Sequence, residues 1–293
     1  MRGFLKTQKA MFRIMASTNA NWLIYYLKKL PLVGKLLPES LYANIGLKRV
    51  LAVLATIVKA FRKFFGKVFF VGLLIALPAF LLEKTMPLRF DAFCHLLFVI
   101  SLFGPFMTSD IFLADRNRYI CVRLMRMDAR GLIVSAVLLD NAVDGLTLLP
   151  PVLLFTLLFG GSFIQSLQLT VFSFVFGIVG EAFFLLFYAK TKVMLSKKAP
   201  FIMAAVLLCI MAAVLPFALH LPLAPKAVLL HPAATLLWAA VGALCIVYIS
   251  RSGRYYGISA ELLSASNVAL NTDAAVKNAR IADVAVREKE FSA

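Results

Sequence analysis

An all-α integral membrane protein with about six transmembrane helices is what this sequence predicts, and three observations carry the prediction. The first is composition: 62% of the 293 residues are hydrophobic, mean hydropathy is +0.89 and only 15% of residues are charged. Soluble domains are nearer half apolar and about a quarter charged. The second is the presence of six apolar runs close to the ~20 residues that a helix needs to cross hydrocarbon. These runs are continuous, unlike the alternating segments of about ten residues that build a barrel. The third is charge. Of the 31 Lys and Arg, 28 fall on one side of the six-span arrangement and only Lys84, Arg89 and Lys226 on the other. Such alternation marks the basic side as cytoplasmic and places both termini there.

The N-terminal segment is basic through Arg13, but no compact apolar stretch and cleavage site follow it, so a secretory signal peptide is not expected. Residues 22–42 mix Trp22, Tyr25 and Tyr26 with Pro31, Gly34 and Pro38. The spacing predicts a short helix, a turn and a second short helix near the membrane interface. Residues 47–67 form a cleaner pattern. Leu47, Leu51, Leu54, Val58, Phe61 and Phe65 make one stripe, with Val50, Val53, Ile57 and Phe64 widening it. Lys48, Arg49, Lys59, Arg62, Lys63 and Lys67 lie opposite. This predicts an amphipathic helix in the plane of the interface, its apolar face in the acyl boundary and its cations on headgroups. Charges buried near a bilayer centre cost ~2.5–3.5 kcal/mol each, which argues against a further span here.

The six spans are predicted at residues 64–82, 92–113, within 132–159, within 163–188, 201–221 and 228–249. Pro150 and Pro151 are expected to kink the third. The loop after the second span, residues 114–131, is the other distinctive cytoplasmic segment. If it is helical, Arg116, Arg123, Arg126 and Arg130 share a side, with Ile120, Leu124 and Met127 as a neighbouring apolar strip and Gly131 as a stop. An arginine and methionine surface of this kind suits docking into a partner's groove. After residue 251 the composition turns to alanine and charge, which predicts one or two weak, solvent-exposed helices or a linker. The domains are thus 1–66 (N-terminal and interfacial), 67–250 (six spans) and 251–293 (cytoplasmic tail).

Chemical motifs are sparse. Cys94, Cys121, Cys209 and Cys245 are scattered without a CxxC pair, so they read as small apolar residues. His95, His220 and His231 are dispersed, and neither HExxH nor GxSxG occurs. No metal site is expected. Without GxxxxGK[ST] the chain offers no phosphate loop, so an ATPase would have to be another chain. Three intramembrane acids stand out. Asp140 and Asp144 are four residues apart and share a helix face; they either pair with loop arginines near the cytoplasmic edge or hold a divalent metal beside a diphosphate. Glu181, within the fourth span, is a packing hydrogen-bonder, a substrate contact or a gating element, since an acid in the membrane is costly. The net charge of +17 is juxtamembrane charge facing anionic lipid and is no sign of nucleic acid.

The order of parts resembles a known family. An interfacial helix, two spans, a basic helical loop, four more spans and a tail are similar to the membrane subunit of bacterial type-two ATP-binding-cassette exporters. The segments YYLKKLPLVGKLLPESLY and RYICVRLMRMDARG carry the resemblance, which covers residues 22–254. It implies a plasma-membrane permease, a partner ATPase that binds ATP and Mg2+, and a second permease copy or homologue. It also implies ATPase contacts at residues 48–67 and 116–130. Against this stand an intramembrane enzyme acting on lipid or prenyl diphosphates and an ion-coupled carrier using Glu181.

Overall fold

The computed structural model describes Lys29 and residues 45–114, 116–223 and 226–263; the predictions for residues 22–42 and for the tail beyond 263 lie outside it, as do the side chains of Lys48, Arg49 and Arg116. The regular structure of the described residues is helical, with no strand among them. It comprises α1 (Ile45–Val71), a π turn (Gly72–Ala76), α2 (Leu77–Leu82), α3 (Met86–Phe103) and a 3-10 turn (Gly104–Phe106). Next come α4 (Arg116–Tyr119) with a π turn (Ile120–Leu124), α5 (Ala129–Leu158), α6 (Phe163–Thr191) and a 3-10 turn (Leu195–Lys197). The chain continues as α7 (Ala199–Ala218), α8 (Lys226–Leu229), α9 (Pro232–Arg251) and α10 (Tyr255–Leu262). Among the described residues six helical stretches are long and apolar enough to cross a membrane: Val53–Leu82, Met86–Phe106, Ala129–Leu158, Phe163–Thr191, Ala199–Ala218 and Pro232–Arg251. The chain is an all-α, multi-pass membrane protein.

Local chemistry sets the ends of the central helices. Asp128 is extended and accepts the Gly131 amide at 2.7 Å, so it caps α5. Gly131, expected to end the loop helix, therefore lies in the first turn of the third span. Pro150 and Pro151 lie within α5, which continues through both. Ser162 and Gln165 form a reciprocal capping box at the start of α6. Lys192 closes α6 in the left-handed conformation, its amide returning to the Tyr188 carbonyl.

Packing centres on α6, which lies against α5, α9 and α3. In its most apolar stretch 61% of residues are buried, against 11% in α7 and in α9. Two buried clusters divide the interior. One gathers Phe112, Cys121, Leu132, Leu185, Ile249 and Tyr255 beside the loops that follow the second, fourth and sixth spans. The other gathers Val71, Phe90, Phe93, Leu97, Val152 and Phe159 toward the opposite end. There Lys226 pairs with Asp91 at 2.5 Å and the Arg89 guanidinium lies 4.0 Å over the Phe80 ring. The loops thus alternate between the ends as the charge pattern requires.

Two boundaries differ from the sequence reading. The break expected near residue 66 is absent: the amphipathic segment and the first span are one helical rod from Ile45 to Leu82, interrupted only by the widened turn at Gly72–Ala76. No proline occurs in this segment before Pro78, and the helix runs through Gly66. The Leu77 amide reaches back five residues to the Gly72 carbonyl, which shifts the bonding register just before that proline removes a donor. The second span runs from Met86 to Phe106 and not from 92 to 113. Pro87 suits its first turn, and beyond Gly104-Pro105 the chain leaves the α-helix to meet Glu181.

Candidate functional site

The site begins with two glycines on α6. A Cβ on Gly180 would lie 2.6 Å from the Pro105 Cβ and 3.0 Å from its carbonyl oxygen. A Cβ on Gly177 would lie 2.5 Å from Asn141 Oδ1. At 180 only glycine lets α6 approach the turn after α3, because the neighbour there is the Pro105 ring and backbone; at 177 a larger residue would have to displace the Asn141 amide. That approach brings Glu181, 6% exposed, against residues 107–114. Its carboxylate accepts from Ser109 Oγ at 2.6 Å, the Asp110 amide at 2.5 Å and the Ile111 amide at 3.2 Å. These amides have left the α3 helix and need acceptors; the carboxylate supplies them. The carbonyls of the same segment face Arg118, 5% exposed, whose guanidinium donates to the Asp110 and Leu113 oxygens. Glu181 and Arg118 therefore grip one short segment from its two polar sides.

A cavity of about 360 Å³ opens beside this grip. Lys67, Ser101, Asp110, Asn141, Asp144 and Glu181 supply its polar wall, and Phe70, Ile100 and Leu148 part of its apolar wall. Ser101 and Ser173 share a hydrogen bond of 2.7 Å across α3 and α6. Asp144 pairs with Lys63 at 3.1 Å and Lys67 at 3.4 Å. The sequence placed Lys63 and Lys67 on lipid headgroups and gave Asp144 either loop arginines or a divalent metal as its partner. The continuous first rod changes this, because it carries both lysines alongside α5. Lys59 and Arg62 remain exposed, as does the apolar stripe from Val50 to Phe65. Asp140 is exposed and does not line the cavity, so the expected acidic pair is divided. Burial pushes the Asp110 carboxyl upward from its usual range; Asp140 and Asp144 add to this, while Arg118 and Lys63 oppose it. Among the described residues no group of three His, Cys, Asp or Glu side chains gathers as a metal site.

The loop after the second span forms a second polar assembly with α10. Residues 116–124 are helical, but their second half is a π turn. Arg126 then turns with φ of +52° and the Met127 amide returns to the Cys121 carbonyl. Arg123, Arg126 and Arg130 therefore do not share one helical face. A four-residue wheel fails where bonding runs over five residues, and Arg130 already belongs to α5. Leu124 and Met125 are 64% and 54% exposed, whereas Met127 and Ile120 are partly covered. Arg123 donates to the Ala260 carbonyl at 2.9 Å and Arg130 to the Ser250 carbonyl at 3.0 Å. Tyr256 donates to Asp128 at 2.5 Å and Tyr188 to Glu261 at 3.2 Å. That bond from Tyr256, with the Gly131 and Arg130 amides, holds the Asp128 carboxyl below its ordinary range. The tail was expected to begin as exposed helix. Instead Tyr255, Ile258 and Leu262 of α10 are buried in the cluster beneath the loop.

No known protein family, curated protein or solved structure matches this chain. The residues that sequence reasoning missed are Ser109, Asp110 and Arg118. Gly104-Pro105 is a breaker pair, and the polar run Thr108-Ser109-Asp110 after it is the signal that an apolar count over residues 92–113 absorbs.

Proposed function

We infer that this protein is the permease subunit of an ATP-binding-cassette exporter, driven by a separate ATPase chain that binds ATP and Mg2+. One observation carries the reading. The segment that holds Glu181 beside the cavity is held from its other side by Arg118, which belongs to the loop at the basic end. A partner that moves that loop therefore moves the cavity wall. Closure of an ATPase dimer would displace the platform of residues 116–128 and α10, and Arg118 would carry the 109–113 segment with it. Glu181 would then lose or regain its three donors as the spans switch between two packings. In this reading the basic end is cytoplasmic, and the thinly buried faces of α7 and α9 receive a second permease copy and lipid.

The platform's exposed apolar pair, Leu124 and Met125, supplies the anchor, since buried apolar and aromatic contacts dominate truncation costs at interfaces. The test is capture of an ATP-binding-cassette ATPase from the source cell's lysate by the purified permease, with the captured chain identified by its phosphate-loop motif. Leu124→Ala with Met125→Ala should lower capture at least tenfold and abolish stimulated hydrolysis. Met86→Ala, an exposed position at the opposite end, should leave both intact. Undiminished capture by the double variant removes the loop from the interface. If the wild-type chain captures no ATPase, the transporter reading fails.

A further inference from the structure

The polar cavity does not stand alone. A second, apolar cavity of about 680 Å³ lies beside it between the first rod, α3 and α7. The two share Phe70 and Ile100 as common wall residues. On one side of that wall are Lys67, Asp110, Asn141, Asp144 and Glu181; on the other are Leu74, Pro78, Cys209, Ala213, Val214 and Phe217. Each volume falls within the ~300–1,000 Å³ of small-molecule sites. We propose that the two cavities form one binding site for a cationic amphiphile, its alkyl chain in the apolar cavity and an ammonium head in the polar one.

The head chemistry follows from the charges. Three carboxylates and one ammonium line the polar side. Asp144 is engaged by Lys63 and Lys67, and Glu181 by three donors of the 109–111 segment. Asp110 spends only its backbone on those contacts, so its carboxylate is the acceptor presented to a ligand. An ammonium head gives that carboxylate a partner in surroundings of low dielectric, whereas a sulfate or phosphate head would meet its like charge in a lining where carboxylates outnumber the one ammonium, Lys67. The chain chemistry follows from α7, whose contribution to the groove carries no polar side chain other than the Cys209 thiol. The proposal deepens the transporter reading by naming its substrate class, but binding requires no ATPase. Labelling without ATPase capture would therefore overturn the transporter and leave the site.

The experiment uses the full chain in phosphatidylcholine nanodiscs and a photoreactive dodecylammonium carrying a diazirine at mid-chain. Labelled positions are mapped by mass spectrometry. Labelling should concentrate on the segments around Phe70, Ile100 and Ala213. Unlabelled dodecylammonium should displace it; dodecyl sulfate and butylammonium, which lack the charge or the chain, should not. Asp110→Asn should reduce labelling about tenfold and Asp110→Glu should largely restore it. Ala213→Trp, which fills the groove, should also remove it. Leu73→Trp, in a separate apolar groove with Phe80 and Phe155, should not. Equal labelling of all lipid-facing helices, displacement by dodecyl sulfate, or full labelling of Asp110→Asn would each overturn the proposal.

Discussion

The fourth and fifth spans are both apolar enough to cross a membrane, yet they occupy opposite positions in the molecule. Helix α6 is enclosed by α3, α5 and α9; helix α7 turns Met203, Leu207, Leu208 and Val214 outward. The difference lies in the minor residues. Along α6 stand Ser166, Thr170, Ser173, Gly177, Gly180 and Glu181, while α7 offers a nearly unbroken series of aliphatic side chains. In a membrane, lipid competes equally well for apolar side chains, so it is small and polar groups that select which helix is buried. Gly177 and Gly180 permit close approach; Ser173 and Glu181 reward it with bonds to Ser101 and to the 109–111 segment.

The sharpest way to break this contrast is to add bulk to both helices. Gly180→Leu should prevent α6 from meeting Pro105 and lower thermal stability in detergent by several degrees or abolish folding, since overpacking costs ~1–3 kcal/mol or more. Ala204→Leu on the exposed face of α7 should leave the melting temperature unchanged. Equal tolerance of the two would mean that α6 is not the hub. Next in size is the acid. Glu181→Ala leaves Ser109 and two amides without their acceptor and should cost about 1–3 kcal/mol. Glu181→Gln keeps one acceptor oxygen and should lose distinctly less. Chemical denaturation of the three proteins ranks them, and identical midpoints would deny the grip.

A smaller effect separates the two basic faces of the first rod. Lys63 and Lys67 reach Asp144, whereas Lys59 and Arg62 face outward. A double-mutant cycle between Lys63→Ala and Asp144→Ala should return a coupling of ~0.2–1 kcal/mol, the range of partly exposed pairs. The same cycle with Lys59→Ala should return none. The smallest effect concerns acid. The Asp128 carboxyl is held below its unfolded value, so its contribution to seating α10 is complete above that value and is lost as pH falls through the lowered one. Amide exchange across α10 should therefore rise below about pH 4 in the wild-type chain. In Asp128→Asn that acid-dependent step should be missing; a step that persists places the acid sensitivity elsewhere.

Much of this architecture is legible from composition. Apolar length finds all six spans, and the alternating cations find the ends at which the loops gather, because both are one-dimensional properties. Boundaries at breakers are less legible: Pro87 and Gly104-Pro105 shift the second span six or more residues toward the N-terminus of the expected run. The candidate site is half legible. Glu181 and Asp144 stand out as acids within apolar sequence. Their partners Ser109, Lys63 and Lys67 do not, because the contacts span 72 residues for Glu181 and close to 80 for Asp144. The loop misleads for a different reason. A helical wheel assumes a constant bonding register, and the π turn at Ile120–Leu124 breaks it, so Met125 emerges and Met127 turns inward.

The unbroken first rod has a geometric consequence. At about 1.5 Å per residue, the stretch from Ile45 to Leu82 extends ~57 Å, close to twice the ~30 Å of bilayer hydrocarbon. A large part of it must project beyond the acyl region or lean steeply within it. The widened turn at Gly72–Ala76 divides the rod at a telling place. Lys63, Lys67 and Phe70 lie before it and face the polar cavity or Asp144; Leu74, Pro78 and Leu82 lie within or after it and face the apolar one. The change from five-residue to four-residue bonding therefore falls between the part of the rod that meets the polar cavity and the part that meets the apolar one. The two cavities thus share the first rod as a wall, along with α3.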